Sequence, residues 1–153
     1  LFGMPLTGLR FFTVYGPWGR PDMAAFIFTR KILAGEPIEV FNGGDMRRDF
    51  TYIDDIVAGV LGCLDKPPEA GRTPGRLYNI GNNRSEPLMR FISILEDSLG
   101  LKAEIQFQPM QAGDVKETCA DIADTRRDFG FEPKISIDDG LPLFVRWYKE
   151  YHS

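Results

Sequence analysis

Histidine is almost missing from this sequence: 153 residues contain one, His152, beside the last residue. A Ser-His-Asp or Cys-His mechanism needs an imidazole held between a nucleophile and an orienting carboxylate, and a residue at the chain end is badly placed for that. Zinc sites draw on the same residue type, so the shortage also argues against one. Cysteine is nearly as scarce. Cys63 and Cys119 lie far apart, Cys63 in a helix-like stretch, and they read as small apolar fillers in a reducing cytoplasm. No run approaches the roughly 20 apolar residues that a membrane-crossing helix needs. Excess basic charge is missing too. Eighteen Lys and Arg stand against 22 Asp and Glu, a formal net charge of -4, which leaves no positive stripe for a nucleic-acid backbone. The opening Leu1-Phe2-Gly3-Met4-Pro5 has no basic stretch ahead of an apolar one and does not read as a secretory signal. Any chemistry must therefore use Tyr, Thr, Arg, Lys, carboxylates or a bound cofactor.

What is present suits a folded enzyme domain. At 43% hydrophobic and 26% charged, the chain can build one proper core. Strand-like and helix-like segments alternate, which predicts an α/β fold. Residues 7–15 read as a strand, 23–34 as a helix stopped by Gly35, and 37–41 as a short strand ended by Gly43-Gly44. A brief extended piece over 50–53 leads into a helix to about residue 65, with Asp54 and Asp55 in its first turn. Residues 66–75 form a Pro/Gly linker. A strand over 76–81, a helix over 87–99 stopped by Gly100, a strand over 103–107 and helices over 121–129 and 138–151 complete the reading.

Three stretches carry unusual chemistry. In the first, the strand-like run ends abruptly in Tyr15-Gly16-Pro17-Trp18-Gly19-Arg20-Pro21-Asp22, a rigid turn at the carboxyl end of a strand, where open α/β sheets bind ligands. The bland alternative is a strand exit with Trp18 covering the sheet edge. In the second, Val40 and Phe41 precede Asn42-Gly43-Gly44, and Arg47-Arg48-Asp49-Phe50 follows. Glycine permits close backbone approach, and the guanidinium fork suits phosphate. Here the alternative is a β-hairpin whose arginines are solvated or paired with Asp45 and Asp49. The third stretch, Gln111-Ala112-Gly113-Asp114-Val115 running on to Asp121, is an ordinary turn and helix start when taken alone.

Taken together and in order, L-R-F-F-T-V-Y-G-P, R-R-D-F-T-Y-I-D-D-I, Y-N-I-G and G-D-V-K-E-T-x-A-D resemble the extended short-chain dehydrogenase/reductases that act on nucleotide sugars. The longer string Y-G-P-W-G-R-P-D-M-A is similar to the UDP-glucuronate 4-epimerase branch. The resemblance spans essentially the whole chain. It implies the carboxyl-terminal, substrate-binding part of an extended Rossmann-type epimerase/dehydratase over 1–153, including the last strand or strands of the Rossmann sheet. The amino-terminal dinucleotide-binding part is expected to lie outside this sequence. No Tyr here has Lys four residues later, and no glycine-rich dinucleotide fingerprint occurs. The catalytic Tyr and Lys are therefore expected upstream, and this half alone is expected to be inactive.

For the whole enzyme, the resemblance implies a cytoplasmic homodimer with a UDP-sugar substrate and NAD. It would interconvert UDP-glucuronate and UDP-galacturonate by oxidation and reduction at C4. Oxidised there, glucuronate is a β-keto acid that loses carbon dioxide when its carboxylate aligns with the carbonyl. Thr13, where relatives handling neutral sugars often have Asn, is expected to hold that carboxylate, and Arg20 to order the loop around it. Arg48 matches the pyrophosphate-binding arginine, and Arg47 is expected to be solvated. Val40 and Phe41 match uracil-contacting positions, Met23 and Ala24 line the nucleotide, and Asp114 lies near ribose and phosphates. Val14 approaches the nicotinamide. Ala112 departs from the frequent Pro. A UDP-glucuronate decarboxylase, a nucleotide-sugar 4,6-dehydratase, a non-catalytic nucleotide-sugar-binding module and a ligand-free α/β scaffold stand as the alternatives.

Overall fold

Strands and helices alternate, as the hydrophobic pattern predicts, in a computed structural model that describes residues 5–68 and 75–152. Residues 69–74 of the expected linker and Leu1 to Met4 lie outside the described residues. The predicted first strand is two strands, β1 (Thr7–Phe11) and β2 (Thr13–Tyr15). The break falls at Phe12, where the chain changes partners. Phe12 N–H still donates to the Ile80 carbonyl, but Thr13 N–H turns to that of Asp49, each at 3.1 Å. β-Propensity runs on unbroken through this point, so only the long-range pairing reveals the switch.

Next come α1 (Ala24–Ala34), β3 (Ile38–Phe41), a 3-10 turn (Asn42–Gly44), β4 (Arg47–Arg48), β5 (Phe50–Tyr52) and α2 (Ile53–Leu64). They are followed by β6 (Arg76–Ile80), β7 (Glu86–Pro87), α3 (Leu88–Leu99), β8 (Ile105–Gln108), α4 (Ala123–Phe129) and α5 (Ile137–Tyr151). Gly35, Gly100 and Gly130 end their helices in the left-handed conformation, the cap that glycine adopts without steric cost. Parallel pairs join β1 to β6, β2 to β5 and β3 to β8, whereas β4 and β7 pair antiparallel. The last pair corrects the hairpin alternative: Arg48 lies opposite Glu86, far along the chain, not opposite a neighbouring strand.

Two apolar clusters form around β2. Tyr15 joins Phe28, Ile38, Val40, Phe50, Phe91, Leu95 and Phe144 in the larger one. Val14, next in sequence and on the other face of the strand, packs on the smaller one with Ile56, Ile80, Ile122 and Phe131. Fully buried Phe50, Phe91 and Phe144 each contribute on the order of 1.5–3 kcal/mol by leaving water. α5 lies so close to β2 that a methyl group on Gly140 would sit 2.2 Å from the Tyr15 hydroxyl. That hydroxyl donates to the Ser136 carbonyl at 3.2 Å. Burial, then the neighbouring Tyr52 and Asp55, push its pKa far above the ordinary tyrosine value.

Candidate functional site

A cavity of about 380 Å³ opens between α1, the end of β3 and the β4–β5 segment. One helical face supplies its floor: Ala24, Ile27, Phe28 and Lys31 stand at i, i+3, i+4 and i+7. Met23, just ahead of the helix, joins them. From β3 come Glu39 and Phe41, and Thr13, Met46, Arg48, Phe50, Leu88 and Asp114 close the remaining sides. The walls are mostly apolar, with a few polar groups placed among them, as in sites that hold a small molecule.

Arg48 is held by three protein contacts. Its side chain is only 18% exposed and meets Asp114 at 2.7 Å. Its other terminal nitrogen donates to the carbonyls of Arg47 at 2.9 Å and Lys116 at 3.2 Å. Asp114 also accepts from the Val115 amide at 2.8 Å. The guanidinium is thus oriented before any ligand arrives, with one edge committed to protein oxygens. Arg47 does not line the cavity. Although half exposed, it is engaged by the Ser85 carbonyl and, at 3.4 Å, by Glu117. It is solvated only in part.

Thr13, Met23, Ala24, Phe41, Arg48 and Asp114 are therefore brought together, and three other expected residues are not. Val40 is fully buried in the core. Strand alternation decides this, since Ile38 and Val40 face inward and Glu39 and Phe41 face the cavity. Val14 packs on the smaller apolar cluster. Arg20 is exposed and forks onto Asp22, its Nε at 3.1 Å from Oδ1. This hydrogen bond holds the Asp22 carboxyl below its usual range and raises Arg20. Trp18 does not cover the sheet edge. It is 72% exposed and stands edge-on to Trp147 and Tyr151 of α5, with ring centres 5.3 and 4.9 Å away.

Residues 1–81 match the NAD dependent epimerase/dehydratase family. The chain belongs to that family. Among curated relatives it is 46% identical over 166 residues to Protein CapI of Staphylococcus aureus, covering the whole chain and 50% of that protein. To UDP-glucuronate 4-epimerase 1 of Arabidopsis thaliana it is 47% identical over 165 residues, covering the whole chain and 38% of that protein. The chain thus spans half or less of the length of these relatives. A solved UDP-glucuronic acid 4-epimerase from Bacillus cereus, in complex with UDP-glucuronic acid and NAD, superposes with a TM-score of 0.88 at 35% identity, covering 98% of this chain and 47% of that one. The mixed α/β architecture is that of an extended epimerase/dehydratase, matched over about half of the neighbour's length.

Several cavity residues lie outside the positions that the resemblance marks. Ile27, Phe28 and Lys31 were legible as the continuation of the Ala24 face at helical spacing, and Glu39 by alternation with Val40. Met46 and Leu88 were not legible, because the contact that seats them, Leu88 N–H on the Met46 carbonyl at 2.9 Å, joins segments distant in sequence.

Proposed function

We propose that the cavity is the UDP-sugar site of a nucleotide-sugar 4-epimerase, and that the whole protein interconverts UDP-glucuronate and UDP-galacturonate with NAD. One observation carries the reading. Six residues assigned to sugar, base and diphosphate by sequence resemblance, drawn from four separated stretches, line one cavity. Its volume falls in the usual range of roughly 300–1,000 Å³ for small-molecule sites. Phe41 offers a flat face to the uracil. Arg48, anchored on its inner edge, presents its remaining donors to the diphosphate, where charge-assisted bonds are strongest. The β2–β5 register sets Thr13 opposite Phe50, two residues after Arg48, which supports reading Thr13 and Arg48 as neighbouring parts of one site.

Thr13 takes the substrate carboxylate in this account. A hydroxyl donor there holds the carboxylate out of line with a C4 carbonyl, and the carbon–carbon bond stays intact. The described residues do not fit NAD by themselves. No G-x-G-x-x-G turn joins a strand to a helix among the described residues to cradle a pyrophosphate, and the main part proposed for these residues is to bind and orient the sugar nucleotide. The test is product analysis by NMR of UDP-glucuronate incubated with the full-length protein and NAD. UDP-galacturonate is expected, and a UDP-pentose as sole product would replace this reading with the decarboxylase.

A further inference from the structure

We infer that Asp49, which lines no part of the cavity, is the positioning residue that assembles it. The inference rests on reading the cavity as a nucleotide site. Asp49 is fully buried and every polar atom it has is used. One carboxylate oxygen accepts from the Asn82 amide at 2.7 Å and the Thr51 hydroxyl at 3.0 Å, and the other from the Ala120 amide at 2.8 Å. Its own amide donates to the Thr118 hydroxyl at 3.1 Å, and its carbonyl accepts from Thr13 N–H at 3.1 Å.

Three of these bonds, those with Thr13, Thr118 and Ala120, tie down segments that supply the cavity. Thr13 is held directly. The segment carrying Asp114 is fixed through Thr118 and Ala120, reinforced by Arg47 N–H on the Lys116 carbonyl at 2.9 Å. Arg48 is the adjacent residue, so the two members of the Arg48–Asp114 pair are anchored on either side of one carboxylate. The close approach depends on Gly81, where a methyl group would lie 3.2 Å from both carboxylate oxygens and 2.4 Å from the Ala120 side chain. The R-R-D-F, Y-N-I-G and E-T-x-A-D strings thus occur in one chain because they meet at one atom group.

A purely structural role would cost stability and leave the interplay with Arg48 untouched, so the test is a double-mutant cycle read by UDP titration of the full-length protein. Asp49→Asn keeps the shape but sets an amide against a backbone N–H. It is expected to weaken UDP binding by roughly 10-fold, the scale of one charge-assisted hydrogen bond. In an Arg48→Ala background the same change is expected to cost less than about 3-fold, because the group it positions is gone. Thr118→Val, which leaves the carboxylate intact, is expected to cost about 3-fold and decides the question if Asp49→Asn does not fold. Additive losses in the cycle, or Asp49→Asn and Thr118→Val both binding UDP as the wild type does, overturn the positioning role. A wild-type protein that binds no UDP overturns instead the reading of the cavity on which it rests.

Discussion

Replacing Arg48 by alanine is the change whose cost can be followed most completely. The side chain is largely buried and its three protein contacts, Asp114 and the carbonyls of Arg47 and Lys116, hold the guanidinium in one orientation. A ligand phosphate therefore meets a donor whose ordering entropy is already spent. Losing one charge-assisted hydrogen bond costs about 1.5–3 kcal/mol, or roughly 10- to 100-fold in UDP affinity. The loss should fall toward the upper end, because Arg48→Ala also strips Asp114 of its cationic partner and leaves a carboxylate facing the diphosphate. Arg48→Ala/Asp114→Asn is accordingly expected to recover about 3-fold or more relative to Arg48→Ala. Arg48→Lys should bind with intermediate strength, since a single ammonium cannot serve both the inner carbonyls and the ligand. Isothermal titration with UDP measures all four proteins. An Arg48→Ala affinity within twofold of wild type would refute the assignment, and a wild-type affinity for Arg48→Lys would refute its geometric part.

Other consequences follow from particular contacts. Thr13→Ala should weaken UDP-glucuronate binding and release more decarboxylated product, measured as evolved carbon dioxide; neither change would mean the carboxylate is held elsewhere. Gly140→Ala drives a methyl group into Tyr15 and Tyr52 and should destabilise by about 1–3 kcal/mol despite the better helix propensity of alanine, seen as a lower urea midpoint. Asp128 is held down to about 2, first by its hydrogen bond from Arg127 and then by that from Tyr78. A carboxyl depressed in the folded state stabilises fully above its unfolded value of about 3.9 and loses that contribution as pH falls through the folded one. The stability gap between wild type and Asp128→Asn should therefore be constant above about pH 5 and close between about pH 4 and pH 2; a gap independent of pH would contradict it.

Local signals in the sequence were reliable wherever the structure obeys local rules. Glycine at 35 and 100 marked helix ends because a left-handed cap is a property of one residue. The cavity floor was equally open to reading, since Ala24, Ile27, Phe28 and Lys31 follow helical spacing. The resemblance assigns Val40 to the ligand, although alternation with Ile38 assigns it to the core, and the same alternation identifies Glu39. The partner switch at Phe12, the two-residue pair of β4 with β7 and the convergence on Asp49 had no local signal. Each depends on a hydrogen bond between segments tens of residues apart, such as Ala120 N–H to the Asp49 carboxylate. Resemblance captured part of this by recording which strings occur together, and the structure supplies the reason.

The central claim is that this one cavity holds a nucleotide sugar, and a crystal structure of the full-length protein with UDP-glucuronate tests it most directly. The account predicts the uracil beside Phe41, the diphosphate on Arg48 and the glucuronate carboxylate within hydrogen-bonding distance of the Thr13 hydroxyl. A nucleotide bound outside this cavity, or one whose diphosphate leaves Arg48 paired only with Asp114, would contradict it.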